Sequence, residues 1–225
     1  MEGQIGNEKR KYSGFRRWSR LALFISCGGF FLWSFFQVVG EQTFIFDDTI
    51  RKIVNGLGIE SIISFFHIFT MLGDKEGVII ILLISLALIW WRKRDYAAMG
   101  ILVVGVIIVN ELNKWLKDYT GRERPMTGPG AESLSFPSGH AMIGIFFYGL
   151  LLYLLLKYMK EDKYRIPTAI IGALFIFLLG VSRIFLNYHY PSDVLAGYAI
   201  GYICLVIGLL LYEWIYTFFA NRPSR

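Results

Sequence analysis

The sequence contains six uninterrupted apolar runs, and these constrain the fold more than any other feature. They cover residues 21–39, 77–91, 97–112, 141–156, 166–186 and 194–219. Each run approaches or exceeds the roughly 20 residues that a helix needs to cross a bilayer. Because 55% of the 225 residues are hydrophobic, the chain also holds more apolar side chains than one soluble core buries. The runs predict an all-α, polytopic membrane helical bundle with six transmembrane helices.

A large soluble helical domain is the alternative, and the pattern inside the runs argues against it. Helices of a soluble domain carry a polar stripe, whereas residues 78–89 are almost entirely apolar. The runs 77–91 and 97–112 are short, so flanking residues or a local change in bilayer thickness must complete them. Cys27 and Cys204 fall inside predicted spans, where a thiol behaves as a small hydrophobe, so a disulfide framework is excluded.

The net charge of +6 comes from basic residues that gather at alternate ends of the spans. This distribution is typical of membrane topology and not of a nucleic-acid-binding face. The basic clusters precede span one, follow span two and separate spans four and five: Lys9, Arg10, Lys11, Arg16, Arg17, Arg20; Arg92, Lys93, Arg94; and Lys157, Lys160, Lys163, Arg165. By the positive-inside rule both termini are cytoplasmic, in agreement with Arg222 and Arg225.

The predicted organisation is a cytoplasmic basic N-terminus, residues 1–20, followed by a single membrane domain, residues 21–225. No Ala-x-Ala-like site closes the first run, which is therefore expected to remain as an uncleaved anchor. Gly197 and Gly201 form a small-xxx-small pair that suits either packing within the bundle or dimerisation. No obligate protein partner is evident, and the oligomeric state stays open.

Two segments between the spans differ from the rest. Residues 48–70 mix apolar and polar positions, which predicts an amphipathic helix lying on the outer surface; a packed helix of an extramembrane cap is the alternative. We interpret His67 as a residue of its polar face. Residues 117–139 are rich in glycine and proline and are neither apolar nor periodic, so they predict an outer loop.

Polar and charged residues, whose transfer into a membrane costs free energy, cluster near the outer ends of the last spans. Arg183 lies within the fifth run, where a charge needs a polar cavity or a partner, unless it reaches the headgroups. His189 and Asp193 stand at the start of the sixth run. If Pro191 and Ser192 begin that helix, Asp193 can accept a hydrogen bond from Nδ1 and leave Nε2 as an oriented nucleophile; a purely structural hydrogen bond is the alternative.

Two further elements fall on the same predicted side. In the sequence Pro-Ser138-Gly139-His140, backbone N–H groups at a helix start can bind an anion, and the glycine allows its close approach. Lys117 and Arg124 add cations, and an arginine can bind two phosphate oxygens at once. Singly, each of these residues also suits a capping or headgroup-binding role. Together, a nucleophile, an acid, backbone donors and cations are what phosphoryl transfer requires.

These residues resemble the type 2 phosphatidic acid phosphatase superfamily, which includes lipid phosphate phosphatases, glucose-6-phosphatase and vanadium haloperoxidases. Its three motifs are present in order, as Lys117-x6-Arg124-Pro125, Pro137-Ser-Gly-His140 and Ser182-Arg183-x5-His189-x3-Asp193.

The resemblance implies that His189 attacks phosphorus, that Asp193 orients it and that His140 protonates the leaving group. It further implies that Lys117, Arg124, Ser138, Gly139 and Arg183 bind the phosphate, with no metal or other cofactor.

The compact chain resembles the bacterial phosphatidylglycerophosphatase B branch, which implies a lipid phosphate substrate in a bacterial-type plasma membrane. The topology predicted from the basic clusters places the active site on the outer face. Phosphatidylglycerol phosphate is the expected substrate; undecaprenyl pyrophosphate and phosphatidic acid are the alternatives within the family. Two other classes remain open. A haloperoxidase would use the same residues for vanadate, although that branch is typically soluble. In a membrane transporter, all three phosphate-binding motifs at fixed spacing would not be expected.

Overall fold

The computed structural model of the protein describes residues 2–57, 59–125 and 133–220, with side chains for 18–54, 56, 57, 59–125 and 133–219. The described chain is helical and contains no strand, which confirms the predicted fold class. Its helices are α1 (Glu2–Val39), α2 (Ile45–Gly56), α3 (Glu60–Thr70), α4 (Lys75–Arg92), α5 (Tyr96–Thr120), α6 (Gly139–Tyr158), α7 (Arg165–Phe185) and α8 (Pro191–Ala220).

Five helices in the described part of the chain are long and apolar enough to cross a membrane: the Trp18–Val39 part of α1, then α5, α6, α7 and α8. They correspond to five of the six predicted spans, and the protein is a multi-pass membrane protein. The remaining run, 77–91, lies in α4, whose 18 residues include Lys75, Glu76 and Arg92 at its two ends. At about 1.5 Å per residue α4 is about 27 Å long, close to the thickness of a hydrocarbon core. A sixth crossing by α4 stays a prediction.

The core of the bundle is α6, which packs against α5, α7 and α8. Its buried residues include Met142 and Phe147. The approach to α8 depends on glycine, because a Cβ at Gly197 would lie 2.7 Å from the Ser138 carbonyl oxygen and one at Gly201 would lie 2.2 Å from Ile145 Cγ2. The small-xxx-small pair therefore serves packing within the bundle.

A buried carboxylate ties the helices together near the basic cluster that follows α4. Asp95 Oδ1 caps α5 by accepting the Ala98 N–H at 2.9 Å, while Oδ2 accepts the hydroxyls of Tyr158 at 2.8 Å and Tyr212 at 2.7 Å. A buried carboxylate is costly unless such donors satisfy it. Because α6 and α8 each supply one of these tyrosines, the three helices are fixed in register there.

Two predicted segments have different bounds from those expected. The single helix predicted over 48–70 is wrong: α2 ends at Gly56 and α3 begins at Glu60. Both short helices pack on α7, and α2 also packs on α8, as a packed cap would. The loop predicted to begin at 117 begins at Gly121, because α5 continues through Thr120 and closes with Gly121 in the left-handed conformation (φ 61°). The middle of that loop, 126–132, lies outside the described residues.

Candidate active site

A tight turn between α7 and α8 holds Arg183 and His189 together. The amide N–H groups of Tyr188 and His189 both donate to the Arg183 carbonyl, at 2.9 and 3.2 Å. Asn187 supplies the left-handed residue of the turn (φ 55°), a conformation that asparagine adopts more readily than most residues. Arg183 is 7% exposed and His189 1% exposed. The turn therefore buries a cation and an imidazole next to each other.

His189 meets the carboxylate of Asp193 as predicted, and α8 begins at Pro191. The distance from His189 Nδ1 to Asp193 Oδ2 is 3.5 Å, at the limit of a hydrogen bond. Oδ2 also accepts the Tyr190 N–H at 2.9 Å and the Ser135 hydroxyl at 2.5 Å. Ser135 Oγ lies 3.3 Å from Nδ1 as well, so it is a shared partner of both side chains. The sequence motifs did not include Ser135.

Burial makes the His189 ring neutral. It lowers the pKa of His189 to about 3; Arg124 and Arg183 act in the same direction, and the hydrogen bond and charge of Asp193 oppose them. Because Nδ1 faces a carboxylate, the ring proton is assigned to Nδ1 and the lone pair to Nε2. A neutral imidazole with a free Nε2 is the form that can attack phosphorus.

The other oxygen of Asp193 is bound by Arg122. Arg122 Nη1 lies 2.6 Å from Asp193 Oδ1, and Arg122 Nη2 lies 2.9 Å from Oδ2 of Asp47 on α2. Asp47 also accepts the N–H and the hydroxyl of Ser192, at 2.8 and 2.6 Å. Arg122 was not predicted as a site residue, although it stands two positions before Arg124, and neither was Asp47.

Two buried hydrogen-bond donors, one at the start of α6 and one on α7, lack acceptors among the described residues. Ser138 is the N-cap residue; its hydroxyl is fully buried and has no hydrogen-bond partner among the described residues, and the same holds for Arg183 Nε. The Ser138 N–H donates to the Asp193 carbonyl at 3.0 Å, which joins this turn to α8. Asn113 Nδ2 donates to the Pro137 carbonyl at 3.1 Å, and a Cβ at Gly139 would lie 3.1 Å from Asn113 Oδ1. Buried donors without acceptors favour an anionic ligand.

Three cations surround this region. Arg183 Nη1 donates to Thr70 Oγ1 at 2.8 Å. Arg124 donates from Nε and Nη2 to the carbonyl and hydroxyl of Ser133, at 2.7 and 2.6 Å, and partial burial lowers the pKa of Arg124. Lys117, in the last turn of α5, makes no hydrogen bond to the described side chains. It is repelled by Arg124 and Arg183 and attracted by Asp193 and Asp118. The positive charge of the three side chains is therefore only partly compensated.

His140 contacts the segment that joins α3 to α4. Its Nε2 lies 3.1 Å from Asp74 Oδ1 and 3.2 Å from the Thr70 carbonyl oxygen, so Nε2 carries a proton. The hydrogen bond with His140 lowers the pKa of Asp74. Neither Thr70 nor Asp74 was predicted. The α3–α4 connection thus contacts both His140 and Arg183, which are 43 positions apart in the sequence.

The predicted site residues meet at one end of the bundle, where α5 and α7 end and α6 and α8 begin: Lys117, Arg124, Ser138, Gly139, His140, Arg183, His189 and Asp193. The geometry brings together a buried neutral imidazole, a second imidazole and a region of positive charge.

A model of the PAP2 superfamily matches residues 98–219, which is more than half of the chain and includes every predicted site residue. The chain belongs to the PAP2 superfamily. The family resemblance found in the sequence is confirmed.

Several known proteins are similar to this chain in sequence or in fold. Phosphatidylglycerophosphatase B of Bacillus subtilis (strain 168) is 33% identical over 136 residues, which are 59% of this chain and 66% of that protein, just under two thirds of its length. The crystal structure of a transmembrane PAP2-type phosphatidylglycerolphosphate phosphatase from Bacillus subtilis has a TM-score of 0.72 at 23% identity and covers 84% of this chain and 96% of that one. Aquifex aeolicus LpxE has a TM-score of 0.58 at 24% identity, over 74% of this chain and 96% of that one. The two structures share the fold.

Proposed function

We propose that this PAP2 protein is a membrane lipid phosphatase that hydrolyses phosphatidylglycerol phosphate to phosphatidylglycerol and inorganic phosphate. The observation that carries the proposal is a buried, neutral His189 beside buried donors without acceptors, Ser138 Oγ and Arg183 Nε. A phosphate group would satisfy those donors. The choice of phosphatidylglycerol phosphate is supported by the 33% identity to a phosphatidylglycerophosphatase B.

The phosphate oxygens would be bound by Lys117, Arg124 and Arg183, together with Ser138 Oγ and the N–H of Gly139. Lys117 supplies a point charge, and the guanidinium groups supply directed donors. These side chains would stabilise the charge on the phosphoryl group as it is transferred, which is the main task of the protein in such a reaction. We propose that the three cations supply this charge without a metal ion.

In the first step, His189 Nε2 attacks phosphorus, the P–N bond forms and the bond from phosphorus to the lipid oxygen breaks. His140 becomes the imidazolium when the phosphate anion binds beside it, and it donates its proton to the departing oxygen, so phosphatidylglycerol leaves as an alcohol. The phosphorylated ring of His189 keeps its Nδ1 proton and gains a positive charge. Asp193, 3.5 Å away, stabilises that charge.

In the second step, a water molecule attacks phosphorus and gives its proton to the neutral His140. The P–N bond breaks, the electron pair returns to His189 Nε2, and inorganic phosphate leaves. Asp74, 3.1 Å from His140 Nε2, stabilises the imidazolium that forms again. Both histidines then have their starting protonation states, so one water is consumed for each lipid phosphate hydrolysed.

The test measures phosphate release by the purified protein in detergent with EDTA present. Substrates are phosphatidylglycerol phosphate, undecaprenyl pyrophosphate and phosphatidic acid at equal surface concentration. We expect the highest kcat/KM on phosphatidylglycerol phosphate, inhibition by vanadate, and no activity in His189→Ala. His67→Ala is the matched control, because His67 is exposed on α3, and it should have wild-type activity.

Other results would change the proposal in defined ways. Faster turnover of undecaprenyl pyrophosphate would make the wall-precursor carrier the substrate. Activity that is lost in EDTA and restored by magnesium would contradict the cation-only site. No phosphate release from any of the three lipids would contradict a phosphatase and leave a non-catalytic membrane protein such as a transporter.

A further inference from the structure

Arg122 has no role in the reaction above, yet it bridges two buried carboxylates from different helices. Its side chain is 16% exposed, while those of Asp193 and Asp47 are 0% and 5% exposed. The guanidinium also stacks on aromatic rings, 4.2 Å from the ring centre of Tyr190 and 5.5 Å from that of Phe44. The two ion pairs and the two ring contacts together restrict the guanidinium group to this position.

Arg122 helps to keep Asp193 ionised, together with the hydrogen bonds that the carboxylate accepts from Ser135 and Tyr190. A buried carboxylate is strongly destabilising unless a cation or several donors compensate it. His189 is neutral in the resting protein and supplies no positive charge, so Arg122 is the cation in direct contact with Asp193 among the described residues. The same contact fixes how the carboxylate is rotated: with Oδ1 on Arg122, Oδ2 faces His189 Nδ1.

Asp47 determines where Arg122 lies. It accepts from Arg122 Nη2, and it binds the N–H and hydroxyl of Ser192 at the first turn of α8. Since Asp193 follows Ser192 directly, α2 holds both the arginine and the backbone next to the carboxylate. A shift of α2 would therefore move Arg122 and Asp193 together.

We propose that Arg122, held in place by Asp47, is a positioning residue that keeps Asp193 ionised and oriented towards His189 during phosphoryl transfer. The inference rests on the proposed phosphohistidine mechanism. It assigns α2 a role in the reaction, as the element that supports the carboxylate from the side opposite the histidine.

Arg122 differs from the phosphate-binding cations in a way that kinetics can detect. Both of its Nη atoms are bound to carboxylates, so a phosphate would have to displace those contacts. The described contacts of Arg124, by contrast, are to neutral oxygens of Ser133. Loss of Arg122 should therefore lower kcat and leave KM nearly unchanged, whereas loss of Arg124 should raise KM.

The first experiment compares Arg122→Ala, Arg122→Lys and Asp47→Asn in detergent-purified protein, with kcat, KM and the thermal unfolding midpoint measured for each. We expect kcat to fall about 10²-fold in Arg122→Ala, the scale of a misplaced catalytic group. Arg122→Lys should lose about 10-fold, because an ammonium lacks the planar fork that binds two carboxylates. Asp47→Asn should lower kcat, and in the double variant with Arg122→Ala it should add less than its separate effect.

Arg51→Ala is the matched control. Arg51 also lies over the Tyr190 ring, at 5.2 Å, but its ion pair is with the exposed Asp48 at 3.9 Å. The kcat of Arg51→Ala should stay within about twofold of wild type, because a weak, exposed ion pair contributes little.

The second experiment is chemical rescue. A cavity of about 400 Å³ lined by Arg122, Asp47 and Tyr190 provides access to the position of the guanidinium. Millimolar guanidinium, well below denaturing concentrations, should raise the kcat of Arg122→Ala at least tenfold. Methylammonium and sodium chloride at equal ionic strength should restore less. His189→Ala should not respond, because its nucleophile is missing.

The outcomes separate this inference from the proposed function. If wild type releases phosphate and His189→Ala does not, but Arg122→Ala keeps kcat within threefold, Arg122 is not a positioning residue. A raised KM with unchanged kcat would make it a phosphate ligand and would also overturn the inference. If Arg122→Ala does not fold, Arg122→Lys and Asp47→Asn decide: wild-type kcat in both would contradict the proposal. An inactive wild type would refute the proposed function itself.

Discussion

A methyl group added at position 73 should disable the proposed proton donor. In Gly73→Ala the new Cβ would lie 2.4 Å from His140 Cδ2, 3.1 Å from Cγ and 3.2 Å from Nε2. Gly73 does not have a left-handed backbone, so alanine is allowed there conformationally. The whole effect of the substitution therefore comes from the contact between the methyl group and the imidazole.

The geometry gives the size of the effect. Carbon atoms in van der Waals contact are about 3.5–4.0 Å apart, so the ring must retreat by about 1 Å. A retreat of that size weakens the contacts of Nε2 with Asp74 and Thr70, now 3.1 and 3.2 Å. A misplacement of about 1 Å can cost about 10²-fold in rate, and general acid catalysis contributes about 10²- to 10⁴-fold in all. We therefore expect kcat on phosphatidylglycerol phosphate to fall about 10²-fold.

The assay compares two leaving groups in the same preparation. A glycerol oxygen is a poor leaving group and needs the proton, whereas nitrophenolate needs it much less. The loss on nitrophenyl phosphate should accordingly be below about 10-fold. Gly100→Ala is the control, since a Cβ on that α5 glycine meets nothing within 4 Å. It should keep wild-type kcat and raise stability by up to about 1 kcal/mol, as alanine does in a helix.

Equal losses on the two substrates would refute the reasoning, because a defect in phosphate binding affects both alike. An unchanged rate on phosphatidylglycerol phosphate would show that His140 is not the acid. If Gly73→Ala unfolds below the assay temperature, Asp74→Asn provides the second measurement. It leaves the ring in place but removes the carboxylate that stabilises the imidazolium, and the same difference between leaving groups should follow.

Three further predictions concern the histidines and the topology. After rapid quenching with labelled substrate at alkaline pH, His189→Ala should trap no phosphoenzyme, whereas His140→Ala should trap some; the reverse result would exchange their roles. Because burial holds the pKa of His189 at about 3, below its usual 6.5, the neutral ring stabilises the fold above about pH 6.5, and this contribution is lost as the pH falls towards 3. The thermal midpoint of wild type should thus fall more steeply between pH 6.5 and 4 than that of His189→Gln. With the two native cysteines replaced, Asp48→Cys should react with an impermeant thiol reagent on intact cells and Lys160→Cys only after lysis; the opposite pattern would place the site in the cytoplasm.

The sequence predicted those features of the spans and of the site that depend on residues close together in the chain. A membrane helix requires a continuous apolar run, so α1 and α5–α8 were found. Asp193 was paired with His189 because four positions bring two residues to one face of a helix start. The end of α5 was placed too early because Lys117 and Asp118 interrupt the apolar pattern, although Thr120 still completes a helical turn by donating to the Leu116 carbonyl at 2.9 Å.

The supporting residues could not be predicted because their contacts join distant parts of the chain. Arg122 and Asp47 are 75 positions apart, and Arg183 and Thr70 are 113 positions apart. Neither pair has a spacing that a helix or turn would impose. Asp47 carries the same local signal as any acidic residue near a helix start, where it interacts favourably with the dipole. Only the packing of α2 and α3 on α7 and α8 shows which polar residues face the site.

The distribution of partners explains how one small region can bind phosphate and still hold carboxylates. The described carboxylates at the site are paired with groups other than the proposed phosphate ligands: Asp193 and Asp47 share Arg122, and Asp74 pairs with His140. Among the described residues no carboxylate forms an ion pair with Lys117 or binds Arg183 Nε, although Asp193 attracts Lys117 at longer range. If a carboxylate reached them, it would compete with the phosphate and keep the cations neutralised in the resting protein. Because the carboxylates are engaged by Arg122 and His140 instead, the cations keep their charge for the substrate, and the uncompensated charge is a cost to stability that substrate binding removes.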